Sequence, residues 1–458
     1  MIFLSHILGT GIATVSGFCL VMIFRRPFPD KRSWFEVTAL SYIIGVWLIA
    51  VEIFIFGYLN IPATLPCLLT AQAILIILFI IRTLYAKNWP VIKPRISLNT
   101  IKRIPWWQWI MIVLILSKLI YVVSMNLTEI RRTDDAFTYA LSVAKHTYFE
   151  ENHTSFEMHR NYPKTPGLLM VWFALIRGSW NEFSINLPYF NYLFVFLLLF
   201  YANLRKRLEN NVSLIGVYLL STFPILLSHS VLVGYADLPM ALFLFLSGVY
   251  AWNFMCDGDL NDLTLAGFFT LCLPFVKTEG KIPYLLFGIF IFFAAIAYRK
   301  MRIRPQIIWL VTAGLAILGS LSIAVVFIKY GQTEPWFLPP RIWYRIVPGN
   351  HWAEIKQPLL MHFGSYFNNW MVIGTLCPFV ILVFTPFYTT RKEFLMILFS
   401  LMLLLSNVYL FCFGGAYRFL VNGTMINRSY LQILPTMLFT CTVLVGMWGK
   451  INLSKSSQ

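Results

Sequence analysis

The sequence predicts an all-α polytopic membrane protein, a bundle of about 13 transmembrane helices, and three observations carry that prediction. First, 59% of the 458 residues are hydrophobic and only 12% are charged. A soluble domain carries roughly 25% charged residues, and it needs them as a skin against water. Second, apolar runs recur along the whole chain, and a run of about 17 residues or more is long enough to cross the hydrocarbon core as a helix. Third, Lys and Arg fall in short blocks between those runs. The blocks are Arg25, Arg26, Lys31 and Arg32; then Lys87, Lys93, Arg95, Lys102 and Arg103; then Arg205, Lys206 and Arg207; then Arg299, Lys300, Arg302 and Arg304. Such spacing marks loops held in the cytoplasm. Helices are the spanning form because lipid offers a backbone no partner and the alternation of a barrel strand is missing.

Taken in order, the predicted spans lie near 2–24, 36–58, 62–81, 107–124, 184–203, 211–232, 237–255, 262–276, 281–298, 306–328, 367–388, 393–413 and 429–448. No basic stretch precedes the first run and no small-residue cleavage signal follows it, so it reads as a retained span rather than a signal peptide. With 25–35 and 82–106 inside, the N-terminus is outside. Loops 204–210, 299–305 and 389–392 then fall inside, as does a cytoplasmic tail at 451–458. The outer face carries a first loop at 125–183, a second at 329–366 and a third at 414–428, with short corners at 234–239 and 277–281. One segment breaks the pattern. Residues 166–180 open with Pro166–Gly167, and counting them as a span would put Arg205–Arg207 outside. A helix lying in the outer interface, or a re-entrant one, is expected there.

Composition also excludes functions. The net charge of +17 is distributed in cytoplasmic loops and not along a nucleic-acid-binding face, so no nucleic-acid partner is expected. The seven cysteines lie in or beside apolar runs without CxxC spacing, as small buried hydrophobes do. No long internal repeat supports an inverted-repeat transporter, and no filter-like segment suggests a channel.

Chemistry-bearing residues gather at the predicted outer face. Asp134 and Asp135 sit in RRTDDAFTYA, where Arg131 and Arg132 favour the ionised carboxylates; a solvated acidic pair is the plainer reading. Asp237 stands before Pro239 at an outer corner, a place suited to helix capping and to catalysis alike. Lys277 and Glu279 share a second corner, Lys164 precedes the 166–180 helix, and Arg418 and Arg428 lie near the outer start of the last span. Each cation alone could be snorkelling. As a set beside carboxylates they suit an anionic lipid headgroup. His146, His153 and His159 with Glu150, Glu151 and Glu157 leave a divalent metal ion open, although no HxxxH or HExxH spacing occurs. Inside the membrane, Lys118 is expected to snorkel outward, and Glu52 has no assigned role.

In this order, the residues resemble the GT-C glycosyltransferases that use lipid-linked sugars, such as protein O-mannosyltransferases and the lipid A aminoarabinose transferase. Asp134-Asp135 is similar to that family's acidic pair in the first outer loop, whose first member acts as general base. Tyr162-Pro163-Lys164-Thr165-Pro166 is similar to its lysine element near the donor phosphate, with Thr165 where proline is frequent. Asp237 and Lys277 match later outer positions, and Arg428-Ser429-Tyr430-Leu431 resembles its closing Arg-Tyr element. The resemblance covers about 107–450, a GT-C-like catalytic core, and leaves 1–106 as a three-helix N-terminal addition. It lacks a WWDYG-like motif, which separates it from oligosaccharyltransferases. The resemblance implies transfer of a sugar from a polyprenyl-phosphate donor to a glycan, lipid or protein acceptor at the non-cytoplasmic face. Asp134, Asp135 and Asp237 would be catalytic, and Lys164, Lys277 and Arg428 would meet the donor phosphate. Tyr162, Glu279, Arg418 and Tyr430 are further candidates. A compact chain without appended outer domains suggests a bacterial inner membrane rather than the endoplasmic reticulum. A transporter or flippase of lipid-linked sugars, and a polysaccharide polymerase or ligase, are the competing expectations.

Overall fold

A computed structural model describes residues 2–24, 32–86, 105–129, 140–150, 164–277, 376–388, 392–413 and 426–456. It also describes isolated positions between 280 and 291, at 353–354 and 356–357, and at 421. The protein is an all-α membrane protein: every regular element among these residues is a helix. Seven of the described helices are long and apolar enough to cross a membrane, or up to eight when one bent pair counts as a single span. The predicted span at 306–328, and most of 281–298, lie outside the described residues.

The chain forms two compact units, Met1–Pro239 and Met240–Gln458. The first contains α1 (Ile2–Phe24), α2 (Trp34–Leu59), α3 (Leu65–Ala86), α4 (Trp106–Thr128), α5 (Ser142–Glu150), α6 (Thr165–Arg177), α7 (Leu187–Arg205), α8 (Asn210–Thr222) and α9 (Pro224–Val231). Its closest helix pair is made by small residues. A Cβ on Gly17 would fall 1.9 Å from the Ser41 carbonyl oxygen, and one on Gly45 would fall 1.7 Å from the Ala13 carbonyl oxygen. Ala13 and Gly17 on α1, and Ser41 and Gly45 on α2, are each four apart, the small-xxx-small spacing that lets membrane helices approach backbone to backbone. Van der Waals contact and not the hydrophobic effect must hold such pairs together in lipid.

Helices α1 and α2 both pack against α6, and α2 also packs against α7. These contacts run across the sequence division at 106/107.

Helix α6 covers the segment expected to lie in the outer interface or to re-enter, and its burial bears on that choice. An interfacial helix should show one polar, exposed face, yet Pro166 to Ala174 are all buried. Trp172 donates its indole N–H to the Gly9 carbonyl at 3.2 Å, His6 stacks on Phe173 at 4.9 Å, and a Cβ on Gly167 would meet the Ala140 carbonyl at 2.5 Å. The helix is inserted among α1, α2 and α5 and does not lie on a surface. Its 13 residues rise about 20 Å at 1.5 Å each, too little to cross about 30 Å of hydrocarbon. Gly178, at φ +75, closes it by donating to Ala174 and Leu175, the left-handed stop that a residue without Cβ favours.

The span predicted at 211–232 is broken. Helices α8 and α9 meet at a bend of 61°. Phe223 is extended before Pro224, because proline disfavours helical geometry in the residue preceding it.

The second unit holds nearly all of α10 (Asp237–Asp257), with α11 (Leu260–Val276), α12 (Cys377–Tyr388), α13 (Phe394–Phe413) and α14 (Ile426–Ser456). Helices α10 and α11 form a hairpin through Gly258, at φ +73, and Asp259, which caps α11. Phe243 and Tyr250 pack on Phe269 across it, with centroids 5.6 and 6.2 Å apart. On α10, Phe245 and Trp252 meet Phe439 of α14, and a Cβ on Gly248 would overlap the Phe399 ring of α13. Buried around its whole circumference, α10 is the core of this unit. Ser400 and Thr440 share a 2.7 Å hydroxyl bond between α13 and α14.

Candidate functional site

Five of the predicted site residues are described, and four of them, Lys164, Asp237, Lys277 and Arg428, stand at helix termini. Lys164 is the residue before α6, with helical backbone and its carbonyl accepting from Gly167 and Leu168. It is half-buried, and loss of hydration lowers its ammonium to about 8. Asp237 is the first residue of α10 and is wholly buried. There the exposed backbone N–H groups favour a negative charge. A carboxylate in the first turn of α10 is thus compatible with the reading taken from the sequence. Gly234, at φ +97, turns the chain just before it, and the rings of His229 and Tyr235 lie 5.2 Å apart in the same corner.

Lys277 follows α11 in extended conformation and is 1% exposed. Its amide donates to Leu273 and its carbonyl accepts from Gly280. Gly280 is required at that turn, since a Cβ there would sit 2.2 Å from the Leu273 carbonyl oxygen. Arg428 lies in the first turn of α14 and is half-buried, and Tyr430 beside it is buried. Asp134, Asp135, Tyr162, Glu279 and Arg418 lie outside the described residues, as do Arg131, Arg132, His153 and His159.

The described parts of the first predicted outer loop are held by local pairs. His146 meets Glu150 at 2.9 Å one turn along α5. Lys145 meets Glu182 at 2.7 Å, and Glu182 also accepts from the Trp180 indole at 3.0 Å. Among the described residues no three His, Cys, Asp or Glu side chains cluster as metal ligands. Of the residues behind the divalent-ion expectation, His146 and Glu150 are described, and His153, His159, Glu151 and Glu157 lie outside the described residues.

Several polar contacts within the membrane spans were missed in the sequence. Lys118, expected to snorkel, has partners on a neighbouring helix. Its ammonium donates to the Ser221 hydroxyl at 3.3 Å and lies 4.6 Å from the centre of the Tyr218 ring. That sets a cation at the C-terminus of α8, where unsatisfied carbonyls favour one. The Gln72 amide donates to Glu52, which gives that carboxyl a partner on α3. Asn191 of α7 joins His6 and Thr10 of α1 and Tyr42 of α2. Asn126 donates to the Ser230 carbonyl and so ties α4 to α9. The available signal was composition alone: polar residues isolated in apolar runs must find partners in lipid.

Known proteins add nothing to this geometry. No family model, curated protein or solved structure matches the chain.

Proposed function

We propose that this protein is a membrane glycosyltransferase that moves a sugar from a polyprenyl-phosphate donor to an acceptor hydroxyl. The observation supporting the reading is positional. Lys164, Asp237, Lys277 and Arg428 all stand at helix termini, in the order that the resemblance to GT-C enzymes requires. Helix termini meet the headgroup layer, where a charge avoids much of the penalty it suffers in hydrocarbon. They are where residues must stand to meet a phosphate and a sugar at the membrane surface.

The reaction follows from those side chains. The bond between the anomeric carbon and the phosphate oxygen breaks through an oxocarbenium-like state. The acceptor oxygen bonds to that carbon and gives its proton to the Asp134 carboxylate as general base. Polyprenyl phosphate leaves with the bonding electrons. Fixed cations stabilise charge that grows on a leaving group, the role assigned to Lys164, Lys277 and Arg428. Asp135 and Asp237 would orient the acceptor or the base, and the acceptor class is a glycan, a lipid or a protein.

One observation favours a second reading, a flippase of lipid-linked sugars. Lys118 lies midway along α4 against a span broken by 61°, and discontinuous helices with polar groups at mid-depth mark transporter sites. A photoreactive polyprenyl-phosphate probe separates the two. The glycosyltransferase reading expects crosslinks at the N-terminal end of α6. Crosslinks confined to the middle of α4 and to α8 would favour translocation instead.

A further inference from the structure

Three aromatic rings meet on the first predicted outer loop. Tyr148 and Phe149 stand in the last turn of α5, and Trp180 follows the end of α6. The ring centroids lie 5.1 Å apart for Tyr148 and Phe149, 5.6 Å for Tyr148 and Trp180, and 6.2 Å for Phe149 and Trp180. Their planes are tilted to one another by 84°, 54° and 41°, so the rings form a corner and not a closed stack. Phe149 is 66% exposed, while Tyr148 and Trp180 are half-buried. Trp180 is fixed in place. Its indole N–H donates to Glu182 Oε1 at 3.0 Å, and the Lys145 ammonium meets the same oxygen at 2.7 Å. That ammonium also lies 5.9 Å from the centre of the Trp180 ring.

Lipid contact is the plainer account of such rings, since Tyr and Trp gather at membrane interfaces. The helix that carries two of them argues otherwise. Ser142, Lys145, His146, Thr147 and Glu150 make most of the nine residues of α5 polar. Its exposed phenyl ring is one of Phe, not of the two residue types that anchor in headgroups, and it is followed directly by an exposed carboxylate, Glu150. A fixed indole beside an exposed phenyl ring, with a carboxylate and an ammonium at the rim, has the chemistry of a carbohydrate site. The C–H face of a pyranose packs on the electron-rich face of an aromatic ring. Its hydroxyls donate to carboxylates and accept from ammonium groups. A few placed polar groups around an apolar lining are what orient a ligand.

Position narrows the ligand further. Lys164 and Trp180 stand beyond opposite ends of α6, whose 13 residues rise about 20 Å. A monosaccharide cannot reach from the rings to the residue assigned to the donor phosphate, whereas an extended glycan can.

We propose that Tyr148, Phe149 and Trp180 form a stacking platform for an acceptor glycan, with Glu182 and Lys145 holding its hydroxyls. The platform is a carbohydrate site in its own right; its use by the acceptor rests on the glycosyltransferase reading above.

The test applies the full-length protein in nanodiscs to an array of immobilised pyranose oligosaccharides, with no donor present. The wild type should be retained on a subset of them. Phe149→Ala and Trp180→Ala should each weaken that retention about tenfold, equivalent to about 1.4 kcal/mol. Phe149→Tyr, which keeps a ring, should preserve it. So should Trp106→Ala, which removes an exposed ring at the start of α4. If Trp180→Ala fails to fold, Phe149→Ala carries the test, because so exposed a side chain adds little packing. No retention of the wild type on any glycan, or equal retention by Phe149→Ala, overturns the proposal. A nitroxide on Phe149→Cys, in a background free of the native thiols, addresses the lipid account. It should meet a water-soluble nickel chelate more readily than dissolved oxygen; the reverse would seat the ring among acyl chains and overturn the proposal. Retention is read without transfer, so the two readings fail separately. Retention without transfer would support the platform and count against the glycosyltransferase, and transfer without retention would do the opposite.

Discussion

A single ammonium shows how burial sets both stability and function. Lys164 is lowered to about 8 from its ordinary 10.5 by lost hydration. Between those values the unfolded chain binds a proton that the folded chain has released. Stability therefore rises with pH across that window, as the strain of holding a desolvated charge is relieved. Function runs the other way. A lysine that meets the donor phosphate must be charged, so kcat/KM for the donor should fall as pH rises through about 8. Lys164→Arg should abolish that alkaline limb, because a guanidinium stays charged. A wild-type profile flat to pH 10 would remove Lys164 from the phosphate. The residue type and the helix after it were readable in the sequence, from Lys164 followed by Thr165-Pro166. Its burial was not, because the burial of a lysine is set by tertiary packing and not by its neighbours in sequence.

Among the elements, long apolar runs were legible and short or broken ones were not. Helices α1 to α4 follow their predicted limits within a few residues, since length and hydropathy alone decide a span. Pro224 gave a local sign of the break between α8 and α9, yet hydropathy continues across it. Helix α6 was correctly read as too short to span, but its insertion follows from surfaces supplied by distant helices. The tightest contact invites a direct test. Gly45→Val should destabilise the first unit by about 1–3 kcal/mol, the usual cost of overpacking, because the new Cβ would strike the Ala13 carbonyl. Gly11→Val, where nothing lies within 4 Å, should leave the thermal midpoint of the purified protein unchanged. Equal shifts for both variants would mean that the α1–α2 contact does not bear on stability. Lys118→Met separates the two functional readings at this scale. Transfer should stay within about twofold of wild type, since Lys118 serves the end of α8; a loss of translocation with this variant would speak for the flippase.

For the whole molecule, the membrane class followed from composition, because no soluble fold could hide so much apolar surface. Orientation rests on the basic loops. With cysteines placed at Ser155 and at Ser97 in a background free of the seven native thiols, an impermeant reagent applied to intact cells should label only Ser155. Labelling of Ser97 alone would invert the topology and move the proposed chemistry to the other face. The central claim is the transfer reaction, and Asp134 tests it most directly. Sugar transfer from a synthetic polyprenyl-phosphate donor should be measured in proteoliposomes for wild type and for Asp134→Asn, with donor retention measured in parallel. The amide keeps the shape of the side chain and removes the proton acceptor, so transfer should fall by roughly 10²–10⁴-fold, the range typical of a lost general base, while donor retention holds. Undiminished transfer in both Asp134→Asn and Asp135→Asn would contradict the account.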